Sequence, residues 1–160
     1  MKRGSGSWLL LLACLAGGGA MIFFGLKKAV DPVAFLKAVH EYGILPESAP
    51  RLLNLVAVAL PAVEILGGLL LVLGIWRRAV AGTLALMLLL FTAAVLQRAL
   101  GLHAEAGGPF CAVAFDCGCG TGVVRICAKL LENGFLILCC AWAALDRRDR
   151  PFALGRGWWS

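Results

Sequence analysis

The chain has 160 residues, of which 61% are apolar and 15% are charged, and its formal net charge is +6. Soluble domains contain about 45–50% apolar and about 25% charged residues, and disordered chains contain fewer apolar residues still, so the composition excludes both classes. Because a membrane-spanning helix needs about 20 apolar residues, the length allows roughly four or five spans in one domain. The sequence has no basic stripe with interleaved aromatic residues, which is the pattern that would indicate a nucleic-acid partner.

Residues 8–26 form the first predicted span, because they carry no charge and lie between Lys2-Arg3 and Lys27-Lys28. An apolar run near the N-terminus is alternatively a cleaved signal peptide, and the segment that ends at Cys14 has the pattern of a lipoprotein cleavage site. The apolar run before Cys14 is short, however, and it continues well beyond that residue. We therefore expect the whole run to be retained as a membrane helix.

Residues 31–43 predict a short helix that lies on the membrane surface. Asp31 is suited to the N-cap, Pro32 to the first helical position, and Gly43 ends the segment. The predicted apolar face comprises Val33, Leu36 and Val39.

Three further spans are predicted at about residues 52–76, 79–97 and 123–145. The connection Arg77-Arg78 between the first two of them is so short that these helices should be antiparallel neighbours. The sequence therefore predicts an all-α integral membrane protein, a four-helix bundle with a short interfacial helix after the first span.

The bundle is expected to occupy residues 1–150, followed by a basic and aromatic tail at residues 151–160. Four spans place both termini on the same side of the bilayer. Basic residues are densest at the Arg77-Arg78 turn and in the tail, so the positive-inside rule predicts cytoplasmic termini in the inner membrane. The Cys-rich loop at residues 98–122 is then external.

Ionisable residues within the predicted spans form one candidate site. Glu64 lies near the middle of the second span, where a carboxylate is costly unless it is paired or protonated. On the last helix, Arg125, Lys129 and Glu132 share one face by their spacing. One interpretation is a buried proton or quinone site formed by Glu64 and this stripe, and the other is a buried ion pair that fixes the helix register.

A second candidate site consists of four of the seven cysteines, which lie in or directly after the external loop. The other three, at positions 14, 139 and 140, lie inside spans and act as small apolar side chains. Four cysteines allow three pairings, and the residue pattern does not choose among them. The four candidates are Cys111, Cys117, Cys119 and Cys127.

Three interpretations fit the Cys-Gly-Cys segment. A redox-active dithiol is one, because Gly118 provides the backbone freedom needed to close a disulfide across one residue. A zinc site is the second, formed with Cys111 and Cys127 and with His103 as a further candidate ligand, although its spacing differs from the usual Cys-x₂₋₄-Cys pattern. The third is a set of static disulfides that staple an external loop in an oxidising compartment.

The order of these features resembles the MauE family of methylamine-utilisation proteins, which are DoxX-like membrane proteins with four spans. The resemblance covers about residues 10–147. The matching segments are Gly25-Leu26-Lys27-Lys28, Asp31-Pro32, Tyr42-Gly43-Ile44-Leu45-Pro46, Leu60-Pro61-Ala62-Val63-Glu64, Gly67-Gly68-Leu69 and Asp116-Cys117-Gly118-Cys119.

The resemblance implies a role in periplasmic thiol–disulfide chemistry. MauE-like proteins are linked to maturation of the disulfide-rich small subunit of methylamine dehydrogenase, alongside a thioredoxin-like partner. DoxX-like relatives are associated with quinone-linked sulfur oxidation, which makes a quinone the candidate cofactor. By position, Cys117 and Cys119 correspond to the redox pair and Glu64 to the buried carboxylate, while Cys111 and Cys127 are additional, either as resolving cysteines or as a second disulfide.

The sequence therefore indicates two candidate functions. In the first, the Cys117–Cys119 pair exchanges with a thioredoxin-like protein at the outer membrane surface, as part of a thiol–disulfide or quinone-linked oxidoreductase. Exchange requires a thiolate, which the neighbouring Asp116 opposes and which Lys129 or Arg125 would favour if the loop folds over the last helix. In the second, the protein is a non-enzymatic membrane subunit or assembly factor with a stapled loop.

Overall fold

The computed structural model describes residues 5–43 and 50–146, and the predicted tail and the segment 44–46 lie outside the described residues. Four of the helices in the described part are long and apolar enough to cross a membrane, so the predicted all-α membrane fold is confirmed. The helices are α1 (Ser5–Val30), α2 (Pro32–Glu41), α3 (Pro50–Leu73), α4 (Arg77–Ala106) and α5 (Ile126–Leu145).

Close approach of two glycines allows α1 to pack tightly against α3. A Cβ atom on Gly18 would lie 2.7 Å from the carbonyl oxygen of Gly68, and one on Gly68 would lie 2.6 Å from the carbonyl oxygen of Gly18. In lipid, small residues of this kind let helix backbones approach and gain van der Waals contact. The ring of spans is completed by contacts of α4 with α5, α1 with α5 and α3 with α4.

Large side chains separate the interior of the bundle from its lipid-facing surface. Met21, Leu71 and Leu84 are buried in one central cluster. Leucines on the opposite helix faces, such as Leu90 and Leu138, are exposed. An outer apolar surface is what a bundle needs when lipid rather than water surrounds it.

The turn between α3 and α4 holds the end of α5. The helix α3 ends at Leu73, before the predicted boundary, because Gly74 and then Trp76 adopt positive φ angles of 78° and 43°. Arg77 then donates hydrogen bonds to the carbonyl oxygens of Ala143 (2.8 Å) and Asp146 (2.7 Å). These are carbonyl groups that a helix end leaves without intrahelical donors, so Arg77 caps α5.

The loop side of the bundle differs from the sequence prediction. The third span continues as helix α4 to Ala106 and ends where Gly107 has a φ of 68°, so the loop begins later than residue 98. Residues Val123–Arg125 form strand β2, which pairs antiparallel with strand β1 (Ala114–Asp116). Arg125 therefore does not share the helical face expected with Lys129 and Glu132, because α5 starts only at Ile126.

The short helix α2 forms as predicted but buries a different face. Asp31 caps it by accepting a hydrogen bond from the backbone N–H of Ala34 (2.9 Å), with Pro32 in the first turn. Its buried side chains are Phe35 and Ala38, while Val33 of the predicted apolar face is exposed. The buried face points toward the Cys-rich segment, and this contact positions the candidate site.

Candidate functional site

The four loop cysteines form two disulfides in the structure. Cys111 pairs with Cys127 across a Cα–Cα distance of 5.1 Å, and Cys117 pairs with Cys119 across 5.4 Å. Cys111 lies in a short 3-10 helix and Cys127 in the first turn of α5, so their bond ties the loop to the membrane bundle. The pairing that sequence left open is thus one local disulfide and one that closes the loop.

A tight turn brings Cys117 and Cys119 together. The backbone N–H of Gly118 donates a hydrogen bond to the Oδ1 atom of Asp116 (2.9 Å), which forms an Asx turn directly after β1. Gly118 has a φ of 67°, and a Cβ atom there would lie 2.8 Å from the Cβ atom of Ala38. Both the backbone conformation and the contact with α2 therefore require glycine at this position.

The pair is buried beneath α2 instead of lying open at the surface. Cys117 is 0% exposed and Cys119 is 2% exposed. Tyr42, just after α2, donates a hydrogen bond from its hydroxyl group to the carbonyl oxygen of Cys117 (2.9 Å). Burial, with the negative charge of Asp116 as a smaller contribution, raises the pKa of the Tyr42 hydroxyl, so this group stays protonated and donating.

A cavity of about 190 Å³ lies between the spans on the inner side of the pair. Cys119 lines this cavity, and Cys117 does not. The polar side chains of its wall come from α1, α3 and α5, and Phe24 and Phe91 contribute apolar surface. The polar residues are Lys28, Glu64, Lys129 and Asn133.

Lys28 is the ion-pair partner of Glu64. The Nζ atom of Lys28 donates a hydrogen bond to Oε1 of Glu64, and both side chains are buried. The second carboxylate oxygen, Oε2, is also buried and accepts no hydrogen bond from the described residues. Glu64 thus forms the buried ion pair that was one of the two sequence interpretations, but with α1 instead of the last helix.

Lys129 brings a second buried ammonium group to the cavity. It is held 2.9 Å from Oε1 of Glu132 and 4.4 Å from the ring centre of Phe24. The Glu132 side chain itself is 43% exposed, so the structure does not place it in a buried proton site. Glu132 is not among the residues that line the cavity.

Sequence reasoning missed Lys28, Asn133 and Tyr42 as parts of this site. Lys28 was assigned to the flank of the first span, because a lysine pair after an apolar run usually marks the membrane boundary. Asn133, whose Nδ2 atom donates to Oγ1 of Thr92 (3.0 Å), follows Lys129 by one helical turn. That spacing predicts that Asn133 lies on the same helix face as Lys129. The spacing of residues did not predict the contact of Tyr42 with the loop.

The placement of the sulfur atoms does not fit the zinc interpretation. All four loop cysteines are in disulfides, which leaves no thiolate among them to bind a metal. His103 packs its ring against Phe110, with ring centres 5.6 Å apart. Over residues 5–43 and 50–146, no three His, Cys, Asp or Glu side chains are grouped to hold a metal ion.

Taken together, the site joins a disulfide, two ammonium groups and a carboxylate around one cavity. Cys119 contacts that space from the loop, while Lys28, Glu64 and Lys129 enter it from three different spans. A dithiol–disulfide pair transfers two electrons and two protons, and the ionisable groups here are able to receive and supply protons.

Comparison with known proteins supports the assignment of this chain. The family model described as "Methylamine utilisation protein MauE" matches residues 6–146. No curated protein and no solved structure matches the chain. The matched region includes the four spans, both disulfides and every residue of the cavity wall. The chain therefore belongs to the MauE family, and it is a multi-pass membrane protein of the methylamine-utilisation type.

Proposed function

We propose that this protein oxidises dithiols of a thioredoxin-like protein through its Cys117–Cys119 disulfide and passes the electrons to a membrane quinone. In this role it supports maturation of a disulfide-containing secreted protein. The observation that carries the proposal is that the Cys117–Cys119 disulfide meets a membrane-embedded cavity with buried ionisable walls. Cys119 lines that cavity, and Cys117 lies beneath α2.

The exchange step balances without a further reactant. A partner thiolate attacks one sulfur of the pair, the Cys117–Cys119 bond breaks, and a mixed disulfide forms. The second partner thiol, as a thiolate, then attacks the partner sulfur of the mixed disulfide and displaces the cysteine of this protein, so that the partner leaves with a new disulfide. The two electrons and the proton of the second partner thiol remain on Cys117 and Cys119, as one thiol and one thiolate.

The cavity residues fit a quinone ring. The volume of about 190 Å³ is similar to that of an engineered protein cavity of about 150 Å³ that binds benzene. Phe24 and Phe91 would contact the ring faces, Lys28 and Lys129 are donors for carbonyl oxygens, and the unpartnered Oε2 of Glu64 is an acceptor for a hydroxyl group. A quinone bound there would supply an acceptor for two electrons and two protons.

Access to Cys117 requires α2 to move. The pair is covered by Phe35, Ala38 and Tyr42, and a protein thiol cannot reach either sulfur in this arrangement. The cover is held to the Cys-rich turn by the hydrogen bond from Tyr42 to the carbonyl oxygen of Cys117 (2.9 Å) and by packing of two α2 side chains. We therefore propose that partner docking displaces α2.

The proposed orientation places the disulfides on the outer face of the inner membrane and both termini in the cytoplasm. Supporting it, the Arg77-Arg78 pair lies at the end of the bundle opposite the disulfides, as the positive-inside rule favours. Disulfides also form and persist in oxidising compartments.

Burial of the Cys117–Cys119 disulfide favours one other candidate function. A loop closed by Cys111–Cys127 and packed under α2 is also suited to a static docking surface. The protein would then be a non-enzymatic assembly factor that holds a secreted partner, and the Cys117–Cys119 bond would only stabilise the loop.

Differential alkylation separates the two candidates. The full-length protein in lipid nanodiscs is incubated with reduced thioredoxin, labelled with iodoacetamide, and mapped by mass spectrometry. For exchange, we expect Cys117 and Cys119 to become labelled in the folded protein after incubation with reduced thioredoxin. A pair that is labelled only after denaturation would contradict exchange and support the stapled loop.

A further inference from the structure

We propose that the two cysteines of the pair have separate roles. Cys117 is the sulfur that the incoming thiol attacks, and Cys119 is the sulfur released as a thiolate into the cavity, where Lys129 stabilises it. This assignment rests on the proposed exchange function and adds to it the order of the steps and one positioning residue.

The first support is that the two cysteines face different surroundings. The contacts of α2 are with the Cys117 side of the turn, since Tyr42 binds the carbonyl oxygen of Cys117 and Ala38 packs on Gly118. Cys119 instead contributes to the cavity wall. Displacement of α2 therefore uncovers Cys117 first and leaves Cys119 within the bundle.

The second support is the charge of the cavity wall. Lys28 and Lys129 contribute two ammonium groups, and Glu64 contributes one carboxylate. The ion-pair partner of Lys129 is Glu132, whose side chain lies outside the wall and is 43% exposed. Within the wall, Lys28 and Glu64 pair with each other, and the ammonium group of Lys129 is the cation that is not paired with a wall carboxylate. A thiolate on Cys119 would therefore share the cavity with the Lys129 ammonium group.

The proposed step follows from this asymmetry. A thiolate of the partner attacks Sγ of Cys117, a bond forms between these two sulfurs, and the bond from Cys117 to Cys119 breaks. The bonding pair of electrons leaves with Sγ of Cys119. Because a leaving thiol of lower pKa departs faster, the ammonium group of Lys129 on the cavity that Cys119 lines favours attack at Cys117 over attack at Cys119.

Other charged or titratable groups also surround the turn. Asp116 is adjacent to Cys117 and disfavours a thiolate there, while Glu64 is compensated by its bond to Lys28. Lys27 packs on Gly120 at the other side of Cys119. The groups that face the pair from the surrounding elements are Lys27 and Lys28 of α1, Tyr42 after α2, Glu64 of α3, Arg98 of α4, Asp116 of β1 and Lys129 of α5.

The test measures the thiolate at each position. Cys117→Ser leaves Cys119 as the remaining thiol of the pair, and Cys119→Ser leaves Cys117. Each full-length variant in nanodiscs is alkylated with iodoacetamide over a range of pH, and the modified peptide is quantified by mass spectrometry. Neighbouring cations lower a thiol pKa from about 8.5 to between about 3.5 and 7.5. We therefore expect the pH at which alkylation is half-maximal, the midpoint, to lie at least about one pH unit lower for Cys119 than for Cys117.

Matched lysine variants assign the cause. In the Cys117→Ser background, Lys129→Gln should raise the Cys119 midpoint by about one pH unit, which is a roughly tenfold slower reaction well below the midpoint. Lys129→Arg should restore it, because the charge is kept. Arg125→Gln is the control, since Arg125 lies four residues earlier on exposed strand β2 and should leave the midpoint unchanged.

The outcomes separate this assignment from the proposed function. If wild-type Cys117 and Cys119 are reduced by thioredoxin but their midpoints are equal or reversed, the assignment is wrong and the exchange function stands. If Lys129→Gln and Arg125→Gln shift the Cys119 midpoint equally, the positioning role of Lys129 is wrong. If thioredoxin does not reduce the wild-type pair, the function and the assignment both fail.

Discussion

Replacing one member of the buried Lys28–Glu64 pair is expected to destabilise the bundle, whereas replacing both is not. Both side chains are buried, and the ammonium group of Lys28 donates to Oε1 of Glu64. Breaking such a pair from one side costs about 3–5 kcal/mol because a buried charge is left uncompensated, while exchange of both partners for apolar side chains is often neutral. The informative variants are Lys28→Met, Glu64→Gln and the double variant Lys28→Met/Glu64→Leu.

The two single variants should differ in cost. In Lys28→Met, Oε1 of Glu64 loses its donor and Oε2 has none among the described residues, so we expect a loss of about 3–5 kcal/mol. In Glu64→Gln, Lys28 keeps an amide acceptor. Its ammonium group also remains 5.2 Å from the ring centre of Phe91 and 5.3 Å from that of Phe35. Cation–π contacts contribute about 0.5–2 kcal/mol each, so we expect a loss of only about 1–2 kcal/mol.

Unfolding in mixed micelles with increasing sodium dodecyl sulfate measures these free energies. The double variant should unfold within about 1 kcal/mol of the wild type, because no unpaired charge is left. Equal losses in the two single variants would refute the asymmetry derived from the hydrogen bonds. A double variant that loses as much as the sum of the single variants would refute the pairing itself.

Three further predictions concern packing and access. Gly18→Val should lower the free energy of unfolding by at least about 1–3 kcal/mol, because the valine side chain would meet the backbone of α3. Gly19→Val is the control and should change the free energy of unfolding little, because the space around its Cβ position is open. Gly118→Ala should speed reduction of the buried pair by a water-soluble phosphine, because the added methyl group pushes α2 away. Gly122→Ala, with a similar positive φ but no neighbour within 4 Å, should leave that rate unchanged and is the control. Tyr42→Phe removes a hydrogen bond worth about 1 kcal/mol and should speed the same reduction roughly fivefold; an unchanged rate would contradict the role of Tyr42 in holding the cover.

The membrane fold was predictable because it depends on patterns local in sequence. Uncharged apolar runs indicated the spans, and Asp31 with Pro32 indicated the start of α2. The start of α5 was placed three residues early, because Val123 and Val124 are apolar residues that suit either a membrane helix or a strand. They form a strand because they pair with β1 in the folded protein, since isolated three-residue strands have little stability of their own.

The candidate site was predictable only in part. Cys117, Cys119 and Glu64 stood out because their residue types are unusual in their settings. Lys28, the partner of Glu64, could not be predicted, because it is 36 residues away in sequence and a lysine pair is common at a membrane boundary. The cover over the pair was equally hidden, since the bond from Tyr42 to Cys117 joins residues 75 positions apart. Burial of the disulfide thus follows from how α2 folds back, which no local pattern encodes.

Coupling between the disulfide and a membrane acceptor is tested most directly by thioredoxin-dependent loss of quinone absorbance. The full-length protein in nanodiscs is mixed with reduced thioredoxin and a short-chain quinone, and the wild type is compared with Cys117→Ser, Cys119→Ser and the control Cys14→Ala, whose residue is buried in the central cluster. We expect one quinone consumed per thioredoxin dithiol oxidised in the wild type and the control, and no consumption above background in the other two variants. Quinone consumption that persists in Cys119→Ser, or that never exceeds the rate without protein, would contradict the coupling.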